Sequence, residues 1–419
     1  VRILIFGIHY YPDLTGIGKY TGEMSAWLAS QGHDVHVVTA KPFYPQWKVE
    51  PRYKNKWWIN ETIENVTVTR CPLYVPNDPV ASKKIIHEFS FLASIFPVWV
   101  KLLFEKKFDV VMGINPPFHL SVYPLAYKYL KGAKMISHVQ DLQVDVVNDL
   151  GMIKNQTLLK VMFRLEKYFF RKSDLVTTIS KGMERKIKGK GIKLRKQFLF
   201  PNWVDVGFIR PLPEFQSLRK RFGLKETDKV VMYSGNLGEK QGLEIIIDAA
   251  KRFLSQREIK FIIVGNGGAK SRLVDLVSVE NLDNILFFPL QPYEDLPSLL
   301  ATPDIHLVLQ KKEASDLVMP SKLTGILASG GCAIVTALPE TTLFDVIDEH
   351  DMGILVNPEN LEEFVAKIDF ALTNDTSSIR YNARRYAESY LSKPSILDRF
   401  EQKLNQLIAF ESEVVTESR

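Results

Sequence analysis

Short β-branched runs alternate with helical stretches twice along this chain, with a proline-rich break between the two passages. The first passage holds RILIFG (2–7), VHVVT (35–39), VTVTR (66–70), DVVMGI (109–114), KMISH (134–138) and DLVTTIS (174–180). Each run is bounded by Gly, Pro or charge, as strands are. Residues 20–31 and 158–170 carry helical spacing between them. Strands alternating with helices pack as a parallel, doubly wound α/β sheet. FPNWVDVGFIRPLP (200–213) has Pro201, Pro211 and Pro213 and no helical period, so it reads as a linker. The second passage holds KVVMYSG (229–235), IKFIIVG (259–265), NILFF (284–288), DIHLVL (304–309), CAIVT (332–336) and GILV (353–356). Two tandem sheets predict a cleft between them, a common ligand location. The stretch after about Tyr381 is helical by pattern.

Composition sets the bounds. The chain has 419 residues, 46% hydrophobic and 24% charged, enough for large cores without staples. Cys71 and Cys332 form neither a zinc spacing nor a disulfide framework, so two buried thiols in a reducing compartment are expected. The opening VRILIFG is a strand pattern and not a signal peptide, which predicts a cytoplasmic protein. The longest apolar stretch (89–104) has 16 residues and contains Pro97 and Lys101. A spanning helix needs about 20, so no span is expected, and Pro97 should kink or interrupt the helix. Phe89, Leu92, Phe96, Trp99 and Leu103 share helical spacing there. Ser90, Ser94 and Lys101 mark another face, and Lys83, Lys84, Lys106 and Lys107 flank the stretch. Both a core helix and a helix lying on the cytoplasmic membrane surface fit that pattern. Residues 1–205 carry 30 Lys and Arg against 17 Asp and Glu, a basic half that favours an anionic partner such as phosphate or a membrane surface.

Four motifs carry candidate chemistry. TGIGKYTGEM opens a helix, and Gly16 and Gly18 let backbone N–H groups approach an anion there. A dinucleotide fold would place its glycines directly after the first strand, and VVTAK has no acidic residue ending the second strand; both argue against NAD. YSGNLGEKQG (233–242) lies between strand and helix, where Gly235, Gly238 and Lys240 could cradle a pyrophosphate. A plain turn explains either glycine motif equally well. In VMPSKLTGILASGG (318–331), Pro320 and Ser321 enter a helix and Lys322 sits in its first turn. A cation there opposes the helix dipole unless an anion lies nearby. In SHVQDLQVD (137–145), His138 ends a strand at the sheet's carboxyl edge, where open α/β folds hold ligands, although a lone His is often structural. On a helix, Asp141 and Asp145 would share its face. The chain has no Asp-x-Asp and no His/Cys ligand pair, so no metal and no cofactor are expected.

GIGKYTGEM, CPLYVP, SHVQDLQVD, FPNW, YSGNLGEKQGLE, VGNGGAKSRL, FFPLQPY and MPSKLTGILASGG extend over nearly the whole chain. In them the chain resembles the GT-B retaining glycosyltransferases of family four, and within these the colanic-acid-type exopolysaccharide enzymes described as fucosyltransferases. The resemblance implies an α/β GT-B fold of two Rossmann-like domains facing across a cleft. The acceptor-side domain would span 1–205, with helices at 385–419 crossing back to it. The donor-binding domain would span 206–384. It implies a nucleotide-diphosphate sugar donor such as GDP-fucose, a lipid-linked or other saccharide acceptor, the inner membrane surface as a partner and no nucleic acid. Gly16 and Gly18 match the loop facing the donor diphosphate, His138 the active-site histidine, and Ser321 and Lys322 the phosphate-side helix start, flanked by Pro320 and Leu323. Many relatives have Arg and Lys in the phosphate loop where this chain has Asn236 and Gln241, and Lys240 is displaced by one position. Many also have a glutamate pair spaced eight apart where Leu317 and Gly325 stand. Asp316 is a candidate substitute at the donor sugar, as is Asp141. A GT-B nucleotide-sugar epimerase and a catalytically degenerate scaffold of a membrane-associated complex are the rival readings.

Overall fold

The computed structural model describes residues 1–416 apart from 14–15, 45, 79, 150–152, 154 and 313–319. The chain divides into two compact units. Unit 1 is Val1–Pro201 with Leu397–Arg419, and unit 2 is Asn202–Ile396.

Unit 1 holds strands β1 (Arg2–Phe6), β2 (Asp34–Ala40), β3 (Ile59–Ile63), β4 (Val66–Cys71), β5 (Val110–Asn115), β6 (Lys134–Val139), β7 (Leu175–Thr178) and β8 (Gln197–Leu199). They form one sheet in the order β3-β4-β2-β1-β5-β6-β7-β8. All neighbours pair in parallel except β3 with β4. Burial on both faces explains why β1 and β5 read as continuous apolar runs. The β3–β4 hairpin turns at Glu64 and Asn65, both at positive φ, so its two-residue loop is of the type whose twist matches the strands.

Unit 2 holds β9 (Lys229–Ser234), β10 (Ile259–Val264), β11 (Ile285–Phe288), β12 (Ile305–Val308), β13 (Ala333–Thr336) and β14 (Ile354–Val356). This sheet is parallel throughout, in the order β11-β10-β9-β12-β13-β14. The strand order reverses between β9 and β12, and in unit 1 between β1 and β5. Such reversal points open a crevice at the carboxyl ends of the strands.

One expectation is corrected. The helix at Pro97 is not interrupted: it runs unbroken over Ala81–Leu103, 23 residues. The bond Pro97 cannot donate would reach the carbonyl of Ala93, and both residues lie on the solvent side, where that carbonyl can meet water. By length and composition this helix could cross a membrane. One face, with Phe91, Ile95 and Leu102, is nonetheless buried in the core of unit 1. The segment 200–213 holds the crossing from unit 1 to unit 2, between Pro201 and Asn202, and it is packed. Trp203, Val204 and Ile209 are buried, and Val204 bridges to Ser392. The last helix, Lys393–Thr416, begins in unit 2 and returns to unit 1, where Leu397, Phe400 and Leu404 are fully buried.

Candidate active site

In unit 2 the candidate residues gather where the strand order reverses. The loop after β9 is braced from beneath by the loop after β10. Gly235 N–H donates to Val264 O, and Leu237 N–H to Asn266 O, each at 2.9 Å. Gly265 has φ +151°, and a Cβ there would lie 1.9 Å from Gly235 O, so only glycine permits this crossing. Tyr233, at the end of β9, donates its hydroxyl to Asn236 O at 2.7 Å and is fixed by it.

Lys322 enters from the other side of the reversal point, in the first turn of the helix Ser321–Ala328. Its Nζ stands 3.5 Å from the centre of the Tyr233 ring and faces Gly235, where a Cβ would lie 3.6 Å from it. That nitrogen is shut off from solvent and has no hydrogen-bond partner among the described residues. Burial lowers the Lys322 pKa to about 7. A buried ammonium without a counter-ion is costly, and the face of an aromatic ring offsets only part of that cost. Pro320 precedes the helix with no side-chain cap, leaving its first N–H groups open, and Leu323 is buried in the unit's core. Gln241 Oε1 and Gln310 Nε2 are two further buried polar atoms without a partner among the described residues. They lie on the loops after β9 and β12; the sequence placed Gln241 in the phosphate loop as a departure from relatives but gave Gln310 no role. Position two residues beyond β12 was the available signal for Gln310. Asn236 and Lys240 are exposed on the β9 loop. Asp316 and Leu317 lie outside the described residues.

In unit 1, Gly16 starts the helix Gly16–Ser30 at φ +62°. Gly18 lies against a neighbour: a Cβ there would come 2.5 Å from Asp13 Cβ. Asp13 Oδ2 is 3.4 Å from His9 Nδ1. His138 is the penultimate residue of β6, with its ring buried and tilted against Phe200, centroids 5.2 Å apart. Its Nε2 is 2.8 Å from the Gln140 amide nitrogen, and its Nδ1 is 2.7 Å from Thr177 Oγ1. The amide can only donate, so Nε2 accepts and Nδ1 carries the proton donated to Thr177. Burial lowers the His138 pKa to about 3 and keeps the ring neutral. Asp141 is half-buried beyond Gln140. The shared helical face expected of His138, Asp141 and Asp145 does not form, because the next helix starts at Gln143. Asp145 instead pairs with Lys190, which also holds Glu166. Among the described residues no group of three His, Cys, Asp or Glu side chains is placed to hold a metal.

Comparison with known proteins assigns both units. Residues 15–203 match the glycosyl transferase 4-like domain, and residues 214–389 match the glycosyl transferases group 1 family. The putative colanic acid biosynthesis glycosyl transferase WcaI of Escherichia coli K12 is 40% identical over 407 residues, 96% of this chain and 98% of that one. The N-acetyl-alpha-D-glucosaminyl L-malate synthase of Bacillus anthracis is 22% identical over 84% of this chain and 83% of its own. Among solved structures, sucrose-phosphate synthase from Thermosynechococcus elongatus superposes with a TM-score of 0.75 at 16% identity, over 97% of this chain and 99% of that one. Anabaena HepE in complex with UDP does so with a TM-score of 0.72 at 14% identity, over 97% of this chain and 100% of that one. The two Rossmann-like sheets are thus those of the GT-B fold, and the chain belongs to the group 1 glycosyltransferases.

Proposed function

We propose that this glycosyltransferase moves a sugar, with retention and without a metal, from a nucleoside-diphosphate sugar to a lipid-linked saccharide during assembly of a colanic-acid-type exopolysaccharide. GDP-fucose is the donor proposed, and the cytoplasmic membrane face the place of work. The 40% identity to an enzyme described as a colanic acid biosynthesis transferase supports the pathway class. The observation that carries the diphosphate part of the donor assignment is the Lys322 ammonium, buried without a hydrogen-bond partner among the described residues and facing Gly235 at the reversal point of unit 2. A diphosphate supplies the missing counter-charge, and the open N–H groups at Ser321 add hydrogen bonds to it.

In the reaction the bond from the sugar's anomeric carbon to the diphosphate oxygen breaks. The electron pair leaves with the diphosphate, the acceptor oxygen bonds to the carbon, and the acceptor's proton passes to the leaving phosphate. Lys322, with Lys240 on the neighbouring loop, stabilises the charge that develops on the leaving group. Asn236, Gly16 and Gly18 complete the donor contacts in this reading. With both ring nitrogens already engaged, His138 acts as a positioning residue: it holds Gln140, and with it Asp141, toward the donor sugar.

The test is a thermal-shift panel of nucleoside diphosphates followed by transfer of labelled sugar into a lipid extract. Stabilisation by a guanosine diphosphate and label in the lipid phase are expected. Label that changes configuration with donor alone would favour the epimerase, and no nucleotide binding would favour the scaffold.

A further inference from the structure

Three helices of unit 1 lie side by side on one face of the sheet and share one core: Ala81–Leu103, Val122–Lys131 and Gln156–Lys172. Lys131 Nζ donates to Leu103 O at 3.0 Å, and Lys128 Nζ to Lys172 O at 2.9 Å, so the middle helix ties the ends of the outer two together. Each helix buries one stripe and leaves a second apolar stripe in solvent.

Gln156–Lys172 is the most informative. Leu159, Phe169 and Phe170 are its buried side. Leu158, Val161, Leu165 and Tyr168 repeat at helical spacing on the adjoining side and are 42–47% exposed. Lys160, Arg164, Arg171 and Lys172 are exposed around that stripe. The helix's one carboxylate, Glu166, is buried against Lys190, so the exposed face is cationic and apolar with no acid on it. On the far helix, Ile85, Ile86, Phe89 and Phe96 are exposed. Trp58, which donates to Ser94 O at 2.9 Å, and the stacked Trp57 stand beside them. Tyr129 and Leu130 continue the surface on the middle helix.

So many exposed large apolar side chains on three neighbouring helices are unusual on a protein that meets only water. Apolar stripes bordered by Lys and Arg, with Trp at the margin, suit the boundary between headgroups and acyl chains. We propose that this three-helix layer is the docking face for an anionic phospholipid bilayer, with Gln156–Lys172 supplying the charge selectivity. The inference rests on the lipid-linked acceptor reading and names the surface that brings the enzyme to such an acceptor.

The test is flotation of the full chain with vesicles of phosphatidylcholine alone or mixed with phosphatidylglycerol. Binding should require phosphatidylglycerol and weaken with salt. Reversing two basic residues, Lys160→Glu with Arg164→Glu, should lower the partition coefficient by about thirtyfold or more. Val161→Glu with Leu165→Glu should do the same through the apolar stripe. The melting temperature and the shift produced by nucleoside diphosphate should stay at wild-type values in both pairs. Binding equal to wild type in both pairs, or equal binding to neutral vesicles, overturns the assignment. Transfer to detergent-dispersed lipid without any vesicle binding removes the surface and leaves the acceptor reading intact. Vesicle binding with transfer only to water-soluble saccharides does the reverse.

Discussion

The Nζ atom of Lys322 rests 3.5 Å from the centre of the Tyr233 ring, with no hydrogen-bond partner among the described residues. The pair joins the end of β9 to the helix that follows β12, so one cation reports on both loops at the reversal point. With its pKa lowered to about 7 by burial, Lys322 is largely neutral at pH 8 in the free protein. A bound diphosphate favours the charged form.

Binding of a nucleoside diphosphate at pH 8 should therefore take up close to one proton, and affinity should fall as pH rises above 7. Calorimetry in buffers of different ionisation enthalpy checks this. In the free protein the sign runs the other way. The folded pKa lies below the ordinary 10.5, so this residue's cost to stability is full below about 7 and is removed as pH rises through that window. Lys322→Ala should abolish the proton uptake and weaken diphosphate binding by about 1.5–3 kcal/mol, with nucleoside binding unchanged. Equal losses for both ligands would make the lysine structural.

His138→Ala should lower turnover by about 100-fold, the cost of a mispositioned group, while the donor KM stays near its wild-type value. Gln140→Ala should shift the same parameter in the same direction, because the ring acts through that amide. With its pKa near 3 the ring stays neutral from pH 5 to 8, so removing it should leave the shape of the pH–rate profile unchanged. A folded variant with normal turnover would take His138 out of the mechanism.

Burial raises the Glu88 carboxyl to about 7, against opposing effects of the Gln143 amide at 3.0 Å and of Lys84; His119 Nε2 lies 3.9 Å away. A raised carboxyl pKa means that the fold favours the protonated form, so stability is lost as pH climbs from about 4.5 through 7. Glu88→Gln should stabilise the protein by about 1–3 kcal/mol at pH 8 and change little at pH 5. Denaturant melts at the two pH values decide it, and an equal effect at both would refute the ionisation account.

Turnover should survive EDTA, since no suitable ligand group exists among the described residues and Lys322 supplies the positive charge. Loss of activity on chelation with recovery on adding a divalent ion would show that the leaving group needs more than this lysine.

The strands buried on both faces were legible as β-branched runs, and the restart of the pattern marked the second sheet. β3 and β8 were not. INETI is a half-polar edge strand and QFL has only three residues, too short for a period to emerge. Pro97 misled because its effect depends on which side of the helix meets water. The exposed stripe on Gln156–Lys172 was equally hidden, since a helix apolar on two sides gives no clue to which side packs. At the site, Lys322 stood out as a cation at the wrong end of a helix. Its place over Tyr233, and the burial of Gln241 Oε1 and Gln310 Nε2 without a partner among the described residues, depend on contacts between distant loops, which no local pattern encodes. The same holds for the two hydrogen bonds that engage the His138 ring.

The returning helix sets an order of assembly. Phe400, fully buried, stacks on Phe200 at 4.3 Å, and His33 bonds Glu401 at 3.0 Å, so unit 1 is finished by residues translated after all of unit 2. At roughly 5–20 residues per second, the first-made half waits about 10–40 s on the ribosome with the seat of Phe400 uncovered. Unit 2, encoded as one continuous stretch, can close first. The half synthesised first is therefore the last to mature, and a stalled or truncated message yields a completed second half beside an unfinished first.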